Sequence, residues 1–193
     1  MGIPTKVRVA VYCVCCVTYN DFHNGGLGCY VEGQKDGYGK YVSMDGNGTY
    51  EGEWKQDEMH GYGHWNHPNG DKHDGFYENG LPHGQGHSLW ANGDEYIGFF
   101  SKGKMDGQGK LVSKNTEDGS ESRYDGGWQR GKRHGRGHWK LSNKDEYKGD
   151  FKRGLKHGQG CYTLADGTVL HDGKWKDDQP YDHPTTIQEV LDA

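Results

Sequence analysis

Histidine is the residue type in this chain whose spacing first suggests chemistry. There are 12 histidines. His60, His83, His134 and His157 each precede a glycine, and His64, His87 and His138 each follow one. Imidazole nitrogens bind zinc, but a ligand set must converge to about 2.0–2.1 Å from one ion. Members of one set sit at equivalent points of a repeating unit, two strands apart if the units are hairpins, which is about 9–10 Å. A ladder of that pitch cannot share an ion, so the expectation is packed histidines and no metal ligand. Nucleophilic chemistry is no better served. No Ser or Cys lies in a recognisable elbow, and Cys161 occupies the strand position held elsewhere by His64 or His87. The stretch "GYGKYVSMDGNG" lacks the Gly-Lys-Ser/Thr ending of a phosphate loop. The acid pairs Asp57/Glu58 and Asp177/Asp178 fall in turns. The sequence therefore predicts a protein that is not an enzyme, with no catalytic residue and no cofactor.

Two constellations point to binding. The first is an aromatic row at a fixed place in successive units: Trp54, Tyr77, Phe100, Trp128, Phe151 and Trp175. Such a row packs on itself as a thin core or offers a partner helix a groove. Both readings stand at this point, because a single sheet layer cannot cover both of its faces. The second is a basic block. Residues 124–160 carry ten Lys/Arg against four acids, whereas residues 50–99 carry nine acids against Lys55 and Lys72. Arg130, Lys132, Arg133, Arg136, Lys140, Lys152, Arg153 and Lys156 form a candidate anionic-lipid patch, each worth about 1 kcal/mol when well placed. The acidic first half and the net charge of -5 oppose that reading. Nucleic acid is not an expected partner, since charge is its only support.

The elements that hold these residues follow from composition and period. Hydrophobic residues are 31%, mean hydropathy is -1.11, and 34 residues are glycine, against about 45–50% apolar (glycine included) in an ordinary domain. Aromatics nevertheless reach 12%, so large rings must be buried in thin layers. Self-similarity explains how. "YEGEWKQDEMHGYG" from Tyr50 recurs from His73, Tyr96, Tyr124 and Tyr147, and partially from His171, at intervals of 23, 23, 28, 23 and 24 residues. The longer interval contains "SKNTEDGSES" at 113–122, which reads as a loop. Within a unit the period is two, as in a strand: Tyr50, Gly52 and Trp54 share a face, as do Gly61, Gly63 and Trp65. Asn-Gly and Asp-Gly pairs between units favour tight turns. Each unit is thus a β-hairpin, marginal alone, whose glycines seat the rings of its neighbours.

The blocks "YEGEWKQDEMHGYG" and "YKGDFKRGLKHGQG" resemble the MORN repeat (membrane occupation and recognition nexus) across about residues 50–178, with a degenerate copy at 29–49. His73 and His171 stand where the leading Tyr is usual, and Asp106 where His is usual. The resemblance implies an all-β repeat protein, an elongated, twisted, single-layer antiparallel sheet of stacked hairpins. Among proteins built on this repeat are radial spoke head and other ciliary proteins, junctophilins, plant phosphatidylinositol phosphate kinases and a SET-domain methyltransferase. About 49 residues precede the array and about 15 follow it, too few for a kinase or SET domain, so this chain resembles the small stand-alone members. The implied function is a non-enzymatic scaffold that binds a protein partner along the aromatic row Trp54, Tyr77, Phe100, Trp128, Phe151 and Trp175, in a ciliary, axonemal or cytoskeletal assembly such as a radial spoke. The alternative is a peripheral membrane tether acting through residues 124–160. Homo-oligomers are also compatible with such an array.

The ends are read separately. Residues 1–28 form a leader, with "KVRVAVYCVCCV" alternating as a strand would. Five cysteines show no disulfide framework, which points to a reducing, intracellular compartment. No run of 18 apolar residues exists for a spanning helix. In the tail, residues 180–193, Pro180 and Pro184 should stop pairing, and Thr186-x-x-Glu189 fits a capping box for a short helix that covers the last strand of the array at 50–179.

Overall fold

The computed structural model describes residues 27–31, 33–43 and 46–181. Those residues form one open sheet of 14 antiparallel strands in sequence order, every neighbour in the chain a neighbour in the sheet. The strands are β1 Leu27–Val31, β2 Gln34–Val42, β3 Thr49–Lys55, β4 Glu58–Asn66, β5 Lys72–Glu78, β6 Leu81–Leu89 and β7 Glu95–Ser101. They continue as β8 Lys104–Lys114, β9 Glu121–Gln129, β10 Lys132–Lys140, β11 Glu146–Lys152, β12 Leu155–Thr163, β13 Val169–Lys176 and β14 Gln179–Pro180. No helix occurs among the described residues. The leader strand expected near residues 7–17 and the helix expected after Thr186 lie outside them.

One register runs through the sheet. Gly28, Gly39, Gly52, Gly63, Gly75, Gly86 and Gly98 pair in turn across β1 to β7. Gly109, Gly126, Gly137, Gly149, Gly160 and Gly173 continue the line to β13. The reason lies on one face, the ring face. A Cβ built on Gly63 would clash with the Tyr50 ring, and one on Gly109 or Gly160 would clash with Tyr96 or Tyr147. Each leading ring therefore lies flat across the glycines of its own hairpin.

The rings then meet edge to face in an unbroken chain. From Tyr41 it passes through Trp54, Tyr50, Tyr77, His73, Phe100 and Tyr96, with centroids 4.8–6.3 Å apart. From Tyr96 it continues through Trp128, Tyr124, Phe151, Tyr147, Trp175 and His171 at 5.0–5.5 Å. Contacts of this geometry contribute about 0.5–1.5 kcal/mol beyond area burial. This chain is the core of a protein with little aliphatic material.

Two kinds of turn alternate. Inside each hairpin a two-residue turn has positive φ at both positions, as at Gln56–Asp57 (50° and 67°) and Asn79–Gly80 (51° and 74°), the pattern that matches strand twist. Asn79–Gly80 is the one Asn-Gly pair in these turns; Asn69-Gly70, Asn92-Gly93 and Asp166-Gly167 lie in the loops between hairpins. There only the glycine is left-handed, as at Gly70, Gly93 and Gly167, and the loop closes through bonds such as His67 N to Asp71 O at 2.8 Å. The insertion at 113–122 is only partly a loop, because β8 extends to Lys114 and β9 starts at Glu121. Pro180 pairs with Trp175 on the two-residue strand β14 and does not end the pairing there.

Successive hairpins are tied at both edges. At the turn edge Gly80, Gly103, Gly131 and Gly154 donate their amides to carbonyls of Met59, Pro82, Met105 and Arg133 at 2.8–3.0 Å. At the loop edge the Asp71, Asp94 and Asp145 carboxylates accept from the amides of Ala91, Lys114 and Ala165 in the next loop, at 2.8–3.0 Å. Cys29 on β1 is disulfide-bonded, a departure from the thiol chemistry read from the sequence, and Cys161 is a free thiol.

Candidate functional site

The leading rings and the aromatic row of the ring face are committed to the fold, and Trp90, Met105 and Leu111 pack against them half-buried. The leading tyrosines reach across the glycine line to the carbonyl three residues on. Tyr50, Tyr96, Tyr124 and Tyr147 donate to Glu53, Phe99, Gly127 and Asp150 at 2.9–3.0 Å. Pairing within each hairpin skips residues beside those carbonyls, as between Gly52 and Glu53 or Gly149 and Phe151, and the hydroxyls satisfy what the skip leaves free. Burial pushes the Tyr96 and Tyr124 hydroxyls up to about 12, so they remain donors at neutral pH. His73 sits over Gly75 and Gly86 as a tyrosine would. Its Nδ1 shares a 2.7 Å hydrogen bond with Ser88 Oγ, and its Nε2 is buried without a partner.

The aromatic row Trp54, Tyr77, Phe100, Trp128, Phe151 and Trp175 is buried throughout, none more than 8% exposed. Of the two readings left open by the sequence, the row is the self-packed core. The three Trp indoles also donate to carbonyls of Gly39, Gly109 and Gly160 at 2.8–3.2 Å.

The basic block divides into three groups. Arg133 and Lys156 belong to the ring face. The Arg133 guanidinium lies 3.9 Å from the Trp139 ring centroid and donates to Gly154 O, while Lys156 Nζ lies 4.3 Å from the Trp175 ring. Burial lowers the pKa of both. With Lys35, Met59, Pro82 and Met105 they close the outer side of the ring chain. Sequence reasoning missed this column, because its occupants share no residue type. Lys140 is drawn to Glu146, which also holds Lys148 and His138 at 3.0–3.1 Å. Those donors, Lys148 foremost, bring the Glu146 carboxyl down to about 2. Arg136 stands opposite Asp150 at 3.7 Å. Arg130, Lys132, Lys152 and Arg153 are exposed around two adjacent hairpin turns.

The histidine sets also separate. His64, His87 and His138 each meet one carboxylate, of Asp74, Glu95 and Glu146, at 2.7–3.0 Å. His83 and His157 lie 3.3 and 3.7 Å from Glu78 and Asp177 near the turns. Among the described residues no three His, Cys, Asp or Glu side chains group as metal ligands.

The opposite face of the sheet is open, and its residues flank the glycine line in two rows. One row alternates in charge, with cross-strand pairs Lys40–Glu51, His64–Asp74 and Lys110–Asp125 at 2.7–3.7 Å. The other changes character along the sheet. Tyr38, Tyr62, Phe76 and Phe99 give its first half exposed rings, and Gln108, Arg136 and Gln159 give the second half polar groups. In the second half a groove of about 610 Å³ runs over Gly126, Gly137, Gly149 and Gly160. Asp125, His138, Lys148, Cys161 and Asp172 line its other side. A long open face bearing both rings and polar groups is a surface for a macromolecule rather than an enclosed pocket for a metabolite.

A search of the curated proteins finds no match. A solved structure from Drosophila melanogaster, the SAS-4 (dCPAP) TCP domain in complex with a proline-rich motif of Ana2 (dSTIL), is similar at 13% identity and a TM-score of 0.36. It covers 90% of this chain and 99% of that one, and at that level of likeness it carries no argument here. The MORN repeat model matches six times, at residues 27–48, 50–72, 73–95, 96–116, 124–146 and 147–169. These matches take in more than half of the sequence, and β13–β14 add one further hairpin in the same register. With the hairpins, the glycine line and the family model in agreement, the chain belongs to the MORN-repeat family.

Proposed function

We propose that this protein is a non-enzymatic scaffold that holds a protein partner on the open face of its sheet. MORN repeats are generally interaction modules for proteins or membrane lipids. The observation that carries the protein reading is the division of labour between faces. The ring face is consumed by the core, whereas the open face presents Tyr38, Tyr62, Phe76, Ile97 and Phe99 to solvent, 42–55% exposed. Resemblance to stand-alone ciliary members supports a place in an axonemal or other cytoskeletal assembly, such as a radial spoke. The test is fractionation of cells carrying a tagged copy, with detergent extraction and then a high-salt wash. Retention in the insoluble pellet is the expected result; release by detergent alone would overturn it.

One observation favours a second reading, a peripheral tether on anionic lipid. Arg130, Lys132, Lys152 and Arg153 cluster at one edge with their side chains in solvent. Four such groups attract an anionic surface by about 1 kcal/mol each at best. Arg133 and Lys156 do not join them, being packed on rings. Under this reading vesicle binding falls steeply with salt and is lost on reversing Arg130 and Lys132.

A further inference from the structure

At the third residue after the leading ring, Glu53 and Asp150 turn their carboxylates onto amides freed by the skipped pairing. They accept from Tyr62 N and Gln159 N, each at 3.1 Å. Phe76 and Phe99 hold the same position in two of the three intervening units, and Gly127 holds it in the third. Neither can accept that bond, and each leaves its ring more than two-fifths exposed. A half-solvated ring leaves the freed amide without the acceptor that a carboxylate supplies, so these two phenylalanines require another explanation. Tyr62 packs edge to face on Phe76 at 5.5 Å, and Ile97 stands beside Phe99 on β7.

From Tyr38 on β2 to Phe99 on β7 the strip crosses five strand spacings, about 24 Å, the length of roughly sixteen helical residues. A helix laid across the strands advances about 5.4 Å per turn, close to the strand spacing of about 4.8 Å. Its apolar side chains then meet Tyr38, Tyr62, Phe76 and Phe99 on β2, β4, β5 and β7, while Glu53 and Gln85 hold the same row on β3 and β6. Acids outnumber bases around the strip: Glu51 and Asp74 flank the rings on the same face, half-exposed and paired with Lys40 and His64, and residues 50–99 carry nine acids against two lysines.

We infer that the first half of the open face docks a basic amphipathic α-helix of a partner protein, with its apolar side chains on Tyr62, Phe76, Ile97 and Phe99. This rests on the scaffold reading and names the chemistry of its partner. The acidic flank repels an anionic membrane and selects lysine- and arginine-rich segments.

The test is fluorescence anisotropy of the full chain with two labelled amidated peptides of about eighteen residues. Both carry leucine along one helical face; one has lysine and the other glutamate at the remaining positions. The lysine peptide is expected to bind at least about tenfold tighter than the glutamate peptide. The variant F76S/F99S should weaken it at least about tenfold while the far-ultraviolet circular dichroism spectrum keeps its sheet signature, since both rings lie outside the buried core. Glu51→Gln with Asp74→Asn should weaken it too, and Arg136→Gln should not. Equal binding of the two peptides, or binding indifferent to Phe76 and Phe99, overturns the inference. So does light scattering that shows a dimer dissolved by F76S/F99S, which would make the strip a self-contact. If the peptides fail while the tagged protein still resists detergent and salt in cells, the scaffold reading survives and only this partner chemistry falls.

Discussion

At the scale of single residues, His73 tests how the leading position works. Burial, the largest influence, brings its pKa down to about 4 from an ordinary 6.5. Above about pH 6.5 the ring is neutral in both folded and unfolded chains, and its environment costs nothing extra. As pH falls from about 6.5 to about 4 the unfolded chain takes up a proton that the folded one refuses. Stability then declines by up to about 3 kcal/mol. Replacing His73 with Tyr and Ser88 with Leu copies the neighbouring pair Tyr96 and Leu111. Urea denaturation as a function of pH should show this variant more stable at neutral pH by about 1 kcal/mol and its acid decline reduced. Tyr147→Phe removes only the hydroxyl that reaches Asp150 O and should cost about 1 kcal/mol. Gly63→Ala drives a methyl against the Tyr50 ring and should cost about 3 kcal/mol. Glycine and ring positions were legible in the sequence because each function admits one residue type. The closing column of Lys35, Met59, Pro82, Met105, Arg133 and Lys156 was not, since any side chain with an apolar stem can cover a ring.

At the scale of the hairpin, turn chemistry sets which substitutions are tolerated. Lys144 holds a left-handed φ of 72° where the other loops place glycine at Gly70, Gly93 and Gly167. Lys144→Gly should therefore raise stability by about 1 kcal/mol, read as a shift in the urea midpoint at constant slope. Asn-Gly and Asp-Gly pairs had pointed to tight turns between units, but the two-residue turns fall inside the units, where Asn79, Arg130 and Arg153 alike supply the first left-handed residue. The dipeptide signal failed because the loops between units form a wider turn that needs left-handed backbone only at its last residue. The insertion was read too long for a similar reason: "SK" and "ES" are polar, yet polar residues suit the solvated end of a lengthened hairpin. Arg133 and Arg130 differ at this scale as well. Arg133→Ala uncovers Trp139 and Phe151 and should cost about 1 kcal/mol or more. Arg130→Ala should stay within about 0.5 kcal/mol.

At the scale of the whole molecule, the sheet is a one-dimensional array whose contacts run mainly between consecutive strands. Such arrays fray from their ends. Hydrogen exchange should show the strongest protection in β6–β11, with weaker protection in β2 and β13. Trp175→Ala should loosen β12–β14 and leave the centre protected, whereas Gly109→Ala should lower protection on both sides of β8. The period of 23 residues made this architecture legible without coordinates. It could not show which face the core would consume, because alternation marks two faces without saying which is filled. That assignment is the central claim, and site-specific photo-cross-linking in cells tests it most directly. A photoreactive phenylalanine analogue is placed at Phe76 on the open face, and in a second copy at Met105 on the closing column of the ring face. The account predicts discrete heavier adducts from position 76 and none from position 105. Adducts from position 105 with none from position 76 would contradict it, and would return the partner to the ring face.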